Sequence, residues 1–222
     1  QPALILKTNG AGFSILEKDG ILNKIKSVKS MFPIDWKLPN VYLLHGDMSR
    51  KELNNLYNHP KVKAMVSLTH GEGFGRPLLE ATMTGLPVIT TGWSGQLDFL
   101  DRDKSSLIGG DLQKIPKSMV WEDILIEESQ WFVVNDNEAY QALNYTFENI
   151  GDVKRRGETQ MYKNRKKFTL DEMANKLDEM MEKHTSTLPS QVSLNLPKLK
   201  KIESKEPPKI EMPQLKKLEK VE

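Results

Sequence analysis

Short apolar runs alternate along most of the chain with longer stretches whose apolar residues recur every three or four positions. The runs are Leu4-Ile5-Leu6, Val41-Tyr42-Leu43-Leu44, Met65-Val66-Ser67-Leu68, Leu86-Pro87-Val88-Ile89 and Phe132-Val133-Val134. Runs of that length suit strands buried on both faces. Between and after them, 15–31, 49–57, 77–84 and 138–149 carry helical patterns, and two more helices close the body, the last over 170–183. Ser49 stands three residues before Glu52, and Thr169 three before Glu172. At that spacing a hydroxyl and a glutamate each satisfy a backbone N–H of the other at a helix start. The alternation predicts an α/β fold: a Rossmann-like open parallel sheet of about five or six strands with helices on both faces. Ligands of such sheets bind beyond the carboxyl ends of the strands, so the loops there hold the candidate chemistry.

The pattern stops near His184. From 185 to 222 the chain holds 8 Lys, 5 acidic residues and 5 of the 12 prolines, with no aromatic residue and no glycine. That composition buries too little apolar surface to offset the entropy of ordering, so 185–222 is expected to be a disordered Lys/Glu/Pro-rich tail and 1–184 one domain. The tail nearly repeats itself, as Leu196-Pro197-Lys198-Leu199-Lys200-Lys201-Ile202-Glu203 and Met212-Pro213-Gln214-Leu215-Lys216-Lys217-Leu218-Glu219. A pair of short docking motifs and a solvated linker both fit, and the composition favours the linker.

The whole chain has 222 residues, 32 basic and 30 acidic side chains, and no cysteine. Without cysteine there is no disulfide framework, thiol nucleophile or thiolate zinc site. Four scattered histidines offer little to a metal. A balance of +2 argues against general nucleic-acid binding. No run approaches the roughly 18 apolar residues of a membrane-spanning helix, and no leader pattern is visible, so a soluble, cytoplasmic protein is expected. The chain nevertheless opens Gln1-Pro2 and runs straight into Ala3-Leu4-Ile5-Leu6, as if a piece upstream were missing.

The richest loop follows the third run and reads Thr69-His70-Gly71-Glu72-Gly73-Phe74-Gly75-Arg76-Pro77-Leu78-Leu79-Glu80-Ala81. Its three glycines permit positive φ angles and a close approach of backbone to ligand. Pro77 suits the first helical position, where a missing N–H is no loss. A glycine-rich loop feeding a helix start gathers free N–H groups and the positive end of the helix dipole, which suits a phosphate. No Gly-Lys-Ser/Thr follows, so this is not a P-loop, and it is not the dinucleotide fingerprint. Glu72 in the loop and Glu80 in the helix can both face one cleft and accept hydrogen bonds from hydroxyl pairs. A nucleotide sugar offers hydroxyls on either side of its diphosphate. Taken singly, the glycines fit a tight turn and Glu80 an exposed helix position; taken together they fit a ligand better.

These residues resemble a known family. Glu72-Gly73-Phe74-Gly75, Pro77-Leu78-Leu79-Glu80-Ala81 and Gly85-Leu86-Pro87-Val88-Ile89 are similar to the Glu-x7-Glu region of glycosyltransferase family 4, the glycosyl transferases group 1. His45-Gly46-Asp47-Met48-Ser49 with Glu52-Leu53 and Leu56-Tyr57 is similar to the family's upstream strand, turn and helix. Thr90-Thr91-Gly92-Trp93-Ser94-Gly95 with Asp98 stands where the family has a small-residue loop, usually followed by a glutamate. The resemblance covers roughly 3–183 and implies the carboxyl-terminal, donor-binding domain of the two-domain GT-B fold.

The resemblance implies that Glu72 lies near the donor sugar and acts as the catalytic-site carboxylate. It places Gly73, Phe74 and Gly75 where backbone amides approach sugar and diphosphate, Glu80 on ribose hydroxyls, and Gly46 in the turn beside the nucleotide. It further implies a nucleotide-sugar donor, retention of anomeric configuration, and no bound metal or cofactor. Both glutamates are expected to position the donor rather than transfer protons, because developing charge on a leaving phosphate is met by preorganised donors. Paired carboxylates of glycoside hydrolases instead straddle the scissile bond. The family's diphosphate-gripping Arg and Lys would precede Gln1, as would a first strand and the amino-terminal acceptor domain. Lys7 and Arg76 are the available cations, though a solvated strand end and an exposed helix start fit them better. His70 is a candidate binder; His45 is better explained as a structural hydrogen-bonding group. Trp93 suits a sugar face or simple packing equally. Trp131 and Phe132 resemble core, and Met180 and Met181 a packing face of the last helix.

Two functions stay open: a sugar transferase whose donor-binding half this is, inactive alone, and a nucleotide or nucleotide-sugar binding module without transfer. The acceptor, whether glycan, lipid or protein, the nucleotide base and the oligomeric state have no signal in the sequence.

Overall fold

The computed structural model describes residues 2–8, 15–121 and 124–185. The tail over 186–222, with its repeated motif, lies outside the described residues. Among them the chain forms strands β1 (Leu4–Thr8), β2 (Val41–His45), β3 (Met65–Ser67), β4 (Val88–Thr91), β5 (Ser106–Ile108), β6 (Gly110–Lys114) and β7 (Gln130–Val134). The helices are α1 (Ile15–Ser30), α2 (Arg50–Tyr57), α3 (Arg76–Met83), α4 (Asp136–Glu148), α5 (Ile150–Lys167) and α6 (Leu170–Thr185). Gln1–Asp178 form one compact unit, and the expected boundary at 184 falls in the last turn of α6.

The expected single sheet is divided among the described residues into three ladders. β1 and β2 pair in parallel, with Lys7 opposite Leu44 and Thr8 opposite His45. β3, β4 and β5 form a parallel set with β4 in the middle. β6 and β7 pair antiparallel. The last pair departs from the parallel pattern because no α-helix among the described residues of the connecting segment carries a crossover. Parallel neighbours need a long crossover, usually helical, whereas β6 is joined to β7 through an irregular loop with one 3-10 turn, Lys117–Met119, and a Trp121–Leu125 bridge. The sequence pattern missed β5 and β6 because Ser106–Ile108 is only three residues long and Gly110–Lys114 is mostly exposed and polar.

β4 shows how the fold is held. All four of its residues are buried, as a central strand covered on both sides must be. Val88 points into a cluster with Leu78 and Ala81 of α3, Leu86, Phe99 and Leu100. Ile89, on the opposite face by the two-residue period, packs with Ile108 and with Ala139 of α4. Helices therefore cover both faces at this strand.

A buried polar network locks α5 onto the same cluster. Gln160 donates to the Phe99 carbonyl at 2.7 Å and accepts from the Asp101 N–H at 3.0 Å. Asn164 accepts from Gln160 and donates to Thr82 Oγ1 of α3 at 2.8 Å. Helix starts follow the sequence cues. Ser49 and Glu52 form the reciprocal capping box of α2, and Thr169 accepts from the Glu172 N–H before α6. Met180 and Met181, expected on a packing face, are exposed. No helix among the described residues is long and apolar enough to cross a membrane.

Candidate functional site

The loop between β3 and α3 is built around Gly75. This residue is the N-cap of α3 with φ 81° and ψ 45°, a left-handed conformation that L side chains resist. Its carbonyl accepts from the N–H groups of Leu78 and Leu79 and so starts the helix. Arg76 consequently takes the first helical position and Pro77 the next, one later than expected; its missing N–H still falls within the first turn. The expectation that Gly71 and Gly73 also use positive φ is corrected. Of the loop's three glycines only Gly75 does, and a Cβ at Gly73 would meet open space.

The steric demand sits instead across the loop, at Gly95. A Cβ there would collide with the Gly73 carbonyl oxygen and approach the Gly73 carbonyl carbon to 2.7 Å and the Glu72 oxygen to 2.9 Å. Two donors converge on that Glu72 carbonyl: the Gly95 N–H at 3.0 Å and the Ser94 hydroxyl at 2.7 Å. Ser94 has φ 79° and ψ −161°, alone among the described non-glycine residues in having positive φ. The next residue, Gln96, is fully buried; its Nε2 donates to the Thr91 carbonyl and hydroxyl. Its Oε1 has no partner among the described residues. Ser94, Gly95 and Gln96 have roles that sequence reasoning did not assign; the run of small residues at 92–95 was the available signal.

Aromatic contacts fix the rest of the loop. Phe74, although partly exposed, meets Phe99 at 5.2 Å and Phe168 at 6.1 Å between ring centroids. His70 stacks on Trp131 at 4.0 Å, and its Nδ1–H donates to the Phe132 carbonyl at 2.7 Å. Trp93 stacks on Phe132 at 5.7 Å, which covers one indole face. Phe132 is buried, while Trp131 is half-buried beneath the His70 ring.

The charged candidates fall into two groups. The Glu72 carboxylate accepts from Thr69 Oγ1 at 3.2 Å. Glu80, one turn into α3, pairs with Arg76 Nε at 3.1 Å. The pair is exposed, so it contributes little to stability and leaves the partners able to exchange. Tyr57 lies against it. Burial pushes the phenol up from its ordinary pKa, the Glu80 charge adds to the rise, and Arg76 partly opposes it. Lys7 belongs to the β1–β2 ladder, and Gly46, at φ 97°, directly follows β2. His45 Nε2–H donates to Glu17 of α1 at 3.3 Å. A cleft of about 390 Å³ opens there, lined by Lys18, Leu43, Leu44, His45 and Met48. A second, of about 300 Å³, lies along β6, β7 and the start of α4.

This α/β arrangement matches glycosyltransferases of the GT-B class in fold. Solved structures similar to it include Anabaena HepE in complex with UDP and glucose, with TM-score 0.55 and 14% identity, covering 82% of this chain and 40% of that one. Sucrose-phosphate synthase from Thermosynechococcus elongatus is similar with TM-score 0.56 and 14% identity, over 82% of this chain and 38% of that one. HepE in complex with UDP-glucose matches likewise, with TM-score 0.55 and 14% identity, over 82% and 41%. The chain thus spans about two fifths of the length of these proteins. Residues 36–109, which contain both Glu72 and Glu80, match the family described as glycosyl transferases group 1. No curated protein matches the chain in sequence.

Proposed function

We propose that this chain is the donor-binding part of a glycosyltransferase that moves a sugar from a nucleotide-sugar donor to an acceptor with retention of anomeric configuration. The observation that carries the proposal is the placement of Glu72 and Glu80 on either side of the Gly75 helix cap, within the segment that matches the family. Pro77 has no N–H and those of Leu78 and Leu79 bond to the Gly75 carbonyl, so the α3 start offers a diphosphate the Arg76 N–H and the positive end of its dipole. Glu80 is assigned to the ribose hydroxyls and Glu72 to the sugar. Gly73, Phe74 and Gly75 shape the backbone between them, and Gly46 lies in the turn beside the nucleotide.

In the transfer, the bond from C1 to the diphosphate oxygen breaks, the acceptor oxygen bonds to the same face of C1, and its proton passes to the leaving diphosphate oxygen. Charge grows on the leaving phosphate, and its stabilisation is assigned to the helix start and Arg76. Neither a resident metal nor a further cofactor is assigned. The similarity to structures that hold UDP with glucose, or UDP-glucose, makes a uridine nucleotide the first donor to try.

Calorimetric titration of the chain with UDP-glucose, GDP-mannose and ADP-glucose tests the assignment. One of the three binds, and Glu80→Ala weakens it by roughly tenfold through the lost ribose hydrogen bonds to a charged group. If none binds, or if Glu80→Ala binds as tightly as wild type, the site is wrongly placed. Binding without transfer by the complete natural polypeptide would support a binding module instead.

A further inference from the structure

We propose that Ser94 is a positioning residue that sets the aim of Glu72, an inference that rests on the donor-site reading above. Three observations converge on it. Its backbone, at φ 79° and ψ −161°, occupies a region that is essentially restricted to glycine. Glycine is available on both sides, at Gly92 and Gly95, yet the strained position holds a serine. What serine adds over glycine there is the hydroxyl, and it donates to the Glu72 carbonyl at 2.7 Å.

The same carbonyl takes the Gly95 N–H at 3.0 Å, so one oxygen of the glycine loop is held by two donors from the loop after β4. That second loop is itself fixed. Thr91, immediately before it, is buried and bonded by Gln96, and Trp93 lies flat on Phe132 with the rings 2° from parallel. A rigid strand end therefore reaches across 22 residues of chain to grip the peptide of Glu72. Fixing that peptide fixes the direction of its Cα–Cβ bond, while Thr69 Oγ1 restrains the carboxylate end at 3.2 Å. Strain of this kind persists where the surrounding structure over-determines a conformation, often at sites whose geometry must be exact to a fraction of an ångström. Ser94 touches no reacting atom; it acts through Glu72.

Because Glu72 is assigned to the sugar and Glu80 to the ribose, the clasp should influence the sugar's share of affinity and not the nucleotide's. The test measures binding of UDP-glucose against UDP, GDP-mannose against GDP and ADP-glucose against ADP, for wild type, Ser94→Ala, Ser94→Gly, Glu72→Gln and the double variant Ser94→Ala/Glu72→Gln. For the pair that wild type binds, Ser94→Ala and Ser94→Gly are each expected to weaken the sugar nucleotide by roughly five- to tenfold, the size of one lost hydrogen bond. Affinity for the bare diphosphate should stay within twofold. Adding Ser94→Ala to Glu72→Gln should bring no further loss, since the group being aimed is already disabled. Ser94→Gly relieves the backbone strain and keeps the test usable if Ser94→Ala folds poorly.

Equal loss for sugar nucleotide and bare diphosphate would mean a general structural role and overturn the proposal. So would unchanged affinities, or full additivity with Glu72→Gln. In those cases wild type still binds and the donor-site reading stands. Failure of wild type to bind any of the three pairs overturns both.

Discussion

Gly95→Ala is the substitution whose consequence follows most directly from the geometry. The added methyl would overlap the Gly73 carbonyl oxygen and sit 2.7 Å from its carbon, against an ordinary contact distance of about 3.5 Å. The two loops must separate by roughly 1 Å, a movement that breaks the Gly95 N–H and Ser94 hydroxyl bonds to Glu72. Two hydrogen bonds at about 1 kcal/mol each, with weakened Phe74 packing on Phe99 and Phe168 at about 0.5–1.5 kcal/mol, give a destabilisation of roughly 2–4 kcal/mol. For a domain of this size that lowers Tm by roughly 4–16 °C. Gly73→Ala is the internal control. It places a methyl in open space at a residue whose φ is not positive, so its effect should stay within about 0.5 kcal/mol. Urea unfolding followed by far-UV circular dichroism, on both variants and wild type, measures the difference. Equal stability of the two variants would show that the loops do not approach each other as described, and would remove the basis for the Ser94 clasp as well.

Two other consequences concern the parts that hold the site. Asn164→Ala removes the donor to Thr82 and the acceptor of Gln160 inside the core, at a cost of roughly 1–3 kcal/mol in urea unfolding. Combined with Gln160→Ala it should cost less than the sum of the two, and strict additivity would argue against a shared network. The Tyr57 phenol reports on the Glu80–Arg76 pair. Glu80→Gln removes a negative neighbour and should lower the Tyr57 pKa towards its ordinary value, whereas Arg76→Met should raise it further. Alkaline absorbance titration, subtracting a Tyr57→Phe chain, separates this phenol from the other tyrosines; no movement in either variant would mean that Glu80 and Tyr57 are not neighbours.

Much of this fold could be read from residues that are close in sequence. Runs such as Val41-Tyr42-Leu43-Leu44 and the capping pair Ser49 and Glu52 declare strands and helix starts because backbone hydrogen bonding and side-chain periodicity are local. The spacing of Glu72, Gly75 and Glu80 likewise located the candidate site, since a helix start converts that spacing into a fixed arrangement. β5 and β6 escaped because a three-residue strand and a polar one carry too little period-two signal. The ladder division depended on which strands meet, which no single run encodes.

The sequence by itself determined the order of the six helices and of five of the seven described strands, the glycine loop and the resemblance that its glutamates carry. The tertiary structure decided which glycine is sterically required, placing that demand at Gly95 rather than Gly73. It also decided that Arg76 pairs with Glu80, that His70 is held by Trp131 and Phe132, and that a strained Ser94 grips Glu72. His70 lies 62 residues from Phe132, and Ser94 lies 22 from Glu72. Contacts across such separations exist only once β4 and β7 are in place, so their geometry comes from packing and not from spacing along the chain.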